Sequence, residues 1–410
     1  MFKSVFLLLL LVTLNAPAQQ IPITRNITWQ AAIHRPDSVD IVFNFTIEKL
    51  NKKKILYIIN GSEKIKVEDI VFRNDSVLIE MPVFESSLKA RIVQGVWVGT
   101  WTKGTAAKEQ VLLFTATPHK NRFESTGGPA AYNISGRWAV IFDGDTTRDN
   151  MAIGEFKQTG NKISGTFLTP SGDYRYQEGI VTGNQLKLSG FDGAHAYLFT
   201  ADIGNDHRLI NGMFYSGARG KESWTATKNT HAKVSIDAVA MYLKPGKEKL
   251  DFHFPDLDGK EVSILDSRFK NKVVVIQLLG SWCPNCMDET AFLSDYYNKN
   301  KQRGVEVLAL AYEYSTDFNR SVKSLRKFQK RFSVQYPILV TGVRVSDSLR
   351  TEKTLPQVTP IKVFPTSIIV DKKGKVRKFD TGFFGPGTTT HYADYKKEFY
   401  SIIEELLKEN

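Results

Sequence analysis

Two cysteines, separated by two residues, are the side chains of this sequence best suited to chemistry. They form the segment Cys283-Pro284-Asn285-Cys286 and are the two cysteines of a 410-residue chain. A thiol at the N-terminus of a helix loses its proton more readily, because the helix dipole and the unpaired N–H groups favour the thiolate. Pro284 suits the first position of such a helix, where a missing N–H costs nothing. The spacing therefore indicates a redox-active pair.

A zinc site and a structural disulfide are the two less reactive interpretations of the pair. Zinc would need further ligands, but the sequence has no third cysteine and no pair of histidines at ligand spacing. A structural disulfide would close a very short loop, and such a bridge constrains the unfolded chain little. We therefore expect redox chemistry, with no metal site and no cofactor.

The segments that flank the cysteines place them between a strand and a helix. The run Val273–Leu279 is apolar except for Gln277, which predicts a buried central strand. A helical pattern runs from Met287 toward Lys299. Farther along, strands and helices alternate, which indicates a mixed sheet covered on both faces. The predicted elements are a hairpin at 257–262, strands at 305–311, 336–340, 366–370 and 376–380, and helices at 318–332 and 392–406.

Four separated segments of this part occur in order, at 254–260 (FPDLDGK), 272–275 (KVVV), 281–286 (SWCPNC) and 364–371 (FPTSIIVD). Together they resemble the thioredoxin superfamily, specifically the exported TlpA/ResA-like thiol:disulfide oxidoreductases. The resemblance implies an α/β thioredoxin-like domain with a mixed central sheet at 249–410, and protein-disulfide oxidoreductase activity. Relatives of this kind typically act as reductants, for example on apocytochromes in cytochrome c biogenesis. A membrane thiol electron donor would then be required.

The resemblance also implies roles for individual residues. Cys283 would be the attacking and more exposed thiol, and Cys286 would resolve the mixed disulfide. Pro365 matches the cis-proline that faces the disulfide in this family and lets the backbone of Phe364 pair with an extended substrate; a trans proline in a loop is the alternative. The predicted substrate-binding residues are Trp282, Pro284, Phe364 and Pro365.

Glu289 is the third predicted catalytic residue. It follows Cys286 by three residues and therefore shares its side of the helix. Glu is common at this position in the family that the chain resembles, and a buried carboxyl with a raised pKa could exchange a proton with Cys286. Gln277 stands where thioredoxin has a buried Asp and cannot act as a base, so the proton-transfer role falls to Glu289. The alternative is an ordinary solvated carboxylate.

The beginning of the chain has the features of a secretory signal peptide. Lys3 precedes an apolar run from residue 5 to residue 14, and Ala16-Pro17-Ala18 supplies small residues for cleavage. The run is too short to span a bilayer comfortably, which argues against the alternative of a membrane anchor. We predict a signal peptide at 1–18, no stable membrane insertion after its removal, and export to the periplasm of a Gram-negative bacterium.

Residues 19–232 have the pattern of an all-β region, either a sandwich or barrel-like. Apolar side chains alternate over 39–47, and Asn60-Gly61 closes an apolar run as a hairpin turn. A weak repeat divides the region into two related units, at 19–130 and 131–232. The polar and basic segment 233–248 is predicted to be the linker to the thioredoxin-like domain.

Composition restricts the partners less sharply than the motifs do. The net charge of +12 and the pI of about 9.4 would suit acidic partners, although a generally solvated surface explains the scattered basic residues equally well. No segment resembles a nucleic-acid-binding module, so we expect protein thiols and disulfides as partners and no nucleic acid.

Three other functions are weighed against a reductant. A disulfide oxidase or isomerase would use the same cysteines, and the sequence does not fix the direction of electron flow. A binding protein would capture its ligand with the β-rich region and use the thiol domain as an accessory. A thiol peroxidase is disfavoured, because Gly280 stands where that class has the Thr of its Thr-x-x-Cys motif.

Overall fold

The computed structural model describes residues 27–409, except 52, 105–108, 126, 144–150, 205 and 207. The predicted signal peptide at 1–18 lies outside the described residues. Within these ranges, no helix is both long enough and apolar enough to cross a membrane.

The first part of the described chain forms a nine-stranded antiparallel sheet, in the order β4-β3-β2-β1-β9-β8-β7-β6-β5. Its strands are β1 (Thr28–His34), β2 (Asp40–Leu50), β3 (Lys53–Asn60), β4 (Glu63–Val67), β5 (Ile70–Arg73), β6 (Ser76–Glu80), β7 (Ser86–Val93), β8 (Val96–Lys103) and β9 (Gln110–Pro118). The edge strands β4 and β5 are separated in the chain by just residues 68 and 69. The sheet must therefore curl until its edges approach, and we call it the first barrel.

A second antiparallel sheet closes on itself completely. Its strands are β10 (Gly136–Phe142), β11 (Met151–Thr159), β12 (Lys162–Thr169), β13 (Gly172–Asp173), β14 (Gln177–Thr182), β15 (Gln185–Phe191), β16 (Ala196–Ile203), β17 (Arg208–Ser216) and β18 (Gly220–Lys228). Strand β11 pairs with β10 on one side and with β12 on the other, which joins the two ends of the sheet. This is the second barrel, and the two barrels together are the β-region.

Large aromatic side chains fill both barrels. Trp97 and Trp101 belong to the core of the first, and Trp138 and Trp224 to the core of the second, each at most 2% exposed. The predicted hairpin at 60–61 joins β3 to β4, with Gly61 in the left-handed region at φ +58°. The expectation of an all-β, barrel-like region is confirmed.

The C-terminal domain is an α/β unit around a five-stranded mixed sheet, in the order β23-β22-β21-β24-β25. A small hairpin, β19 (His253–Pro255) with β20 (Glu261–Ser263), precedes it. The sheet strands are β21 (Val273–Leu279), β22 (Val305–Ala311), β23 (Ile338–Val340), β24 (Thr366–Val370) and β25 (Val376–Thr381). The helices are α1 (Pro284–Asn300), α2 (Phe318–Phe332), α3 (Arg350–Thr354) and α4 (His391–Lys408).

Side chains of alternate residues of β21 lie on opposite faces of this sheet, and all of them are buried. Val273 and Val275 belong to an apolar cluster with side chains of α1, α2 and α4. Val274 and Ile276 belong to another, formed with side chains between residues 241 and 269 and with Leu355 after α3. Both faces are therefore covered, as predicted. The short helix α3 was not predicted, because five residues are too few to show a helical period.

The end of the predicted linker packs against the C-terminal domain. Met241 is buried in its core, and the N–H of Lys244 donates to the carbonyl of Gln357 at 2.8 Å. This anchoring fixes the path by which the chain leaves the β-region.

Candidate active site

The cysteine pair lies where the central strand β21 passes into helix α1. Cys283 is the N-cap of α1, and Pro284 takes the first helical position, as the sequence predicts. The Sγ atom of Cys283 accepts the N–H of Cys286 at 3.2 Å. The two cysteines are joined by a disulfide, with their Cα atoms 5.2 Å apart. The strand and the helix thus hold an oxidised pair at a helix N-terminus.

Both cysteines are buried, which the sequence did not indicate. Cys283 is 3% exposed and Cys286 is fully buried, so the expected order of exposure holds while neither sulfur lies open to solvent. The apolar cluster that contains them also includes Val83, Phe84 and Ala194 of the β-region. The β-region therefore covers the end of the domain that carries the pair.

The predicted proline loop faces the disulfide. The Phe364–Pro365 peptide bond is cis, as the resemblance implied. The carbonyl oxygen of Phe364 lies 3.6 Å from the Sγ atom of Cys283. These two residues and the cysteines are thus brought together from segments about eighty positions apart.

Trp282 packs beside the pair. Its indole N–H donates to the carbonyl of Tyr312 at 2.8 Å, and its ring meets Phe364 edge-on with centroids 5.8 Å apart. A narrow groove opens next to it, between the C-terminal domain and the β-region. The lining includes Phe84, Glu85 and Lys103 from the β-region and Trp282 and Glu313 from the domain.

Glu289 is completely buried one turn beyond Cys286, not solvated. Its carboxylate accepts hydrogen bonds from the amide of Gln277 and the hydroxyl of Ser367, both at 2.8 Å, and from Tyr395 at 3.4 Å. Burial raises the pKa of Glu289 to about 7, which the bonds from Gln277 and Ser367 oppose. A carboxyl with such a pKa can take up or release a proton near neutral pH.

A second buried carboxyl, Glu313, was missed by the sequence analysis. It accepts from the N–H of Ser281 at 2.8 Å and from the Ser281 hydroxyl at 2.7 Å, two residues before Cys283. Burial raises its pKa to about 7. Glu313 follows β22, which runs parallel to β21, so the two strand ends share an edge. The sequence could have indicated Glu313 through this shared edge, because residues that follow neighbouring parallel strands lie close together.

Arg175 and Asp288 were missed as well. The guanidinium of Arg175, in the second barrel, donates to the carbonyl of Pro284 at 3.0 Å and lies 2.8 Å from the carboxylate of Asp288 on α1. No local pattern marks Arg175, because its partners in α1 are more than one hundred residues away.

Comparisons with known proteins agree with this geometry. A family model described as Redoxin matches residues 244–396. The chain is 30% identical over 169 residues to the thiol-disulfide oxidoreductase ResA of Bacillus cereus, which covers 41% of this chain and 83% of that protein. It is 30% identical over 131 residues to ResA of Bacillus thuringiensis, covering 32% and 66% of the two chains.

Among solved structures, a thiol-disulfide oxidoreductase of Bacteroides fragilis is similar to part of this chain. It is 18% identical and has a TM-score of 0.29, with 37% of this chain and 99% of that chain covered. The long match to Bacillus cereus ResA carries the assignment. With its disulfide at the start of α1 and a thioredoxin-like sheet behind it, this chain belongs to the ResA family of thiol-disulfide oxidoreductases.

Proposed function

We propose that this protein is an exported oxidoreductase that reduces protein disulfides, with Cys283 as its nucleophile. The observation that carries this proposal is the position of Cys283, whose sulfur accepts an N–H bond at the N-cap of α1 while Cys286 lies one turn inside. Such a position stabilises the thiolate that attacks. Export rests on the predicted signal peptide at 1–18, and the periplasm of a Gram-negative bacterium is the proposed compartment.

The proposed cycle has two exchange steps. The thiolate of Cys283 attacks one sulfur of a substrate disulfide; the substrate S–S bond breaks, a mixed disulfide forms, and one substrate thiolate leaves. Cys286 then attacks the sulfur of Cys283, so that their disulfide forms and the second substrate thiolate leaves. Glu289 takes the proton of the Cys286 thiol in this step and returns it to solvent or to the leaving thiolate.

A two-electron donor must then reduce the Cys283–Cys286 disulfide before the next cycle. A membrane thiol protein is the proposed donor, and protein disulfides, such as those of apocytochromes in cytochrome c biogenesis, are the proposed substrates. Trp282, Pro284, Phe364 and Pro365 are the proposed substrate-binding residues, because Trp282 and Phe364 pack together beside the sulfur of Cys283.

Burial of the cysteines supports the reductant direction. Cys286 is fully buried in an apolar cluster, where its thiolate is costly and a neutral disulfide is not. Destabilising the thiolate favours the oxidised enzyme, and an enzyme that prefers its disulfide gives its electrons to substrates.

The reduction potential of the pair, measured by equilibration with glutathione, tests the direction. We expect a value near or below about −230 mV, in the range of thioredoxin-like reductants. A value of about −120 to −180 mV would assign the enzyme to disulfide oxidation or isomerisation instead.

A second candidate is that the β-region recognises the partner, as in a binding protein. The observation that favours it is the groove beside Trp282, which the β-region lines with Phe84, Glu85 and Lys103. The test compares reduction of insulin and of oxidised glutathione by wild type and Lys103→Ala. If the β-region recognises the partner, Lys103→Ala should change the rate of insulin reduction and leave the rate of glutathione reduction unchanged. Equal changes in both rates would reject recognition by the β-region. The unit boundaries at 130 and 131 and the linker at 233–248 stay predictions.

A further inference from the structure

One arginine of the β-region reaches the first turns of the cysteine helix. The guanidinium of Arg175 donates from Nη1 to the carbonyl of Pro284 at 3.0 Å, and the same nitrogen lies 2.8 Å from Oδ1 of Asp288. Its Nη2 pairs with Glu63 of β4. A single buried cation thus joins the first barrel, the second barrel and α1.

The backbone around Arg175 is shaped for this contact. Arg175 has a positive φ of 56°, a conformation that costs a residue with a side chain free energy. Gly172, three positions earlier, lies so close to α1 that a Cβ atom there would collide with the amide of Asn285. Asn285 in turn donates to the carbonyl of Phe383 at 2.9 Å. The segment that contains Arg175 therefore packs directly against the residues between the two cysteines.

Carboxyl groups otherwise dominate the charge at this place. The side chain of Asp288, on α1, is 12% exposed, and its partial burial together with neighbouring carboxyls raises its pKa to about 7, although Arg175 opposes the rise. Asp288 and Glu63 hold the pKa of Arg175 above its ordinary value against the effect of burial, so the guanidinium stays charged. The carboxyl groups that face it are Glu63, Asp173, Asp192 and Asp288, and the side chains of Arg331 on α2 and His195 in the second barrel also interact with it. Without Arg175, carboxyl groups would outnumber cations such as Arg331 beside the start of α1, and an excess of carboxylates disfavours a nearby thiolate.

We propose that Arg175 is a positioning residue for thiol–disulfide exchange, which from the β-region fixes the first turns of α1 and stabilises the thiolate of Cys283 by its charge. The step it assists is the loss of a proton from the Cys283 thiol to water, which leaves the electron pair on sulfur for attack on the substrate disulfide. The inference rests on the proposed role of Cys283 as nucleophile. It also gives the β-region a direct part in the reactivity of the cysteine pair.

The test is the pKa of the Cys283 thiol in the Cys286→Ser background, where Cys283 is the single thiol of the chain. Alkylation by iodoacetamide is followed against pH in the full-length protein. Arg175→Gln is expected to raise this pKa by about one unit, as the loss of a neighbouring opposite charge does. Arg175→Lys, which keeps the charge, is expected to restore most of the wild-type value.

Arg122→Gln is the matched control. Arg122 is also buried and ion-paired, but its bonds to Ser189, Ile59 and Glu178 all stay within the β-region. We expect it to change the stability of the protein and to leave the thiol pKa unchanged. If Arg175→Gln and Arg175→Lys both keep the wild-type pKa, Arg175 is an interdomain contact only and the inference is wrong.

A second variant and a second readout separate this inference from the proposed function. Asp288→Asn removes an opposing carboxylate and is expected to lower the Cys283 pKa, so the charge argument is tested even where Arg175→Gln does not fold; an unchanged pKa contradicts it. In the dithiol enzyme, Arg175→Gln is expected to shift the glutathione equilibrium about tenfold toward the disulfide, about 30 mV more reducing. A potential in the oxidase range for every variant, with the pKa shift intact, would reject the reductant direction and keep the role of Arg175.

Discussion

Glu155 in the β-region and Glu289 and Glu313 in the thioredoxin-like domain are buried glutamates with opposite pKa shifts. In the second barrel, Glu155 accepts from the guanidinium of Arg137 at 2.6 Å and lies 3.5 Å from His391. Burial would raise the pKa of Glu155, but these partners outweigh it and lower the pKa to about 2. In the domain, Glu289 and Glu313 accept from neutral donors in the contacts described above, and their pKa values rise to about 7.

This difference separates carboxyls that hold the fold from carboxyls that can do chemistry. Glu155, whose cationic partners outweigh its burial, stays ionised and stabilises the folded state across the physiological range. A buried carboxyl without such partners lies near its own pKa at neutral pH and can exchange a proton. Glu289 lies one turn after Cys286 on α1, and Glu313 bonds Ser281, two residues before Cys283. Four substitutions test this difference.

The largest effect is expected from Cys283→Ser. Without the nucleophile, reduction of insulin should fall by at least about a thousandfold, to the rate of the uncatalysed reaction. The control is Cys286→Ser, which keeps the attacking thiol and should accumulate a mixed disulfide visible by mass spectrometry. Residual activity in Cys283→Ser would place the nucleophile elsewhere.

Glu155→Gln is expected to destabilise the protein without slowing its chemistry. Breaking a buried ion pair typically costs about 3 kcal/mol, because it leaves Arg137 without its partner. The pKa of Glu155 is lowered on folding, so its contribution is present above pH ~4.5 and is lost as pH falls toward 2. Urea unfolding at several pH values checks this. A loss that is equally large near pH 2 would contradict the ion-pair explanation.

Glu289→Gln is expected to slow release of the mixed disulfide by about 100-fold, the usual contribution of a positioned general acid or base. Because the pKa of Glu289 is raised on folding, the wild type loses stability as pH rises from about 4.5 to about 7, and the variant should lack this loss. Rapid-mixing kinetics and unfolding across this pH range measure both effects. An unchanged release rate would leave Glu289 a structural carboxyl like Glu155.

The smallest of the four effects concerns the access of bulky reagents to Cys283. Phe84, on the loop between β6 and β7, is 7% exposed and adopts a left-handed backbone at φ +67°. Burying a Phe side chain contributes about 1.5–3 kcal/mol, so Phe84→Ala should raise the rate at which a bulky maleimide alkylates reduced Cys283 by about tenfold. The ratio of this rate to that of iodoacetamide cancels any change in thiolate fraction. A ratio equal to that of the wild type would mean that the loop does not restrict access.

Most of the C-terminal fold could be predicted from local pattern. Strand Val273–Leu279 is a continuous apolar run, and α2 has a strong helical period, so both are found where the sequence indicates. The hairpin turn after Asn60 followed from the preference of Gly for a positive φ. Closure of the second barrel did not follow from local pattern, because pairing of β11 with β12 and β10 together depends on contacts among distant strands.

The sequence alone was enough to predict a Cys-x-x-Cys pair between a buried strand and a helix, a proline loop that the resemblance implied to be cis, and a Glu one turn beyond Cys286. These follow from spacing along single elements and from resemblance. Only the tertiary structure decided that the β-region covers the pair, that Glu313 flanks it, and that Arg175 reaches Pro284 and Asp288. Burial and charge depend on which surfaces meet in space, and residues that lie on different elements leave no periodic trace of their contact in the sequence.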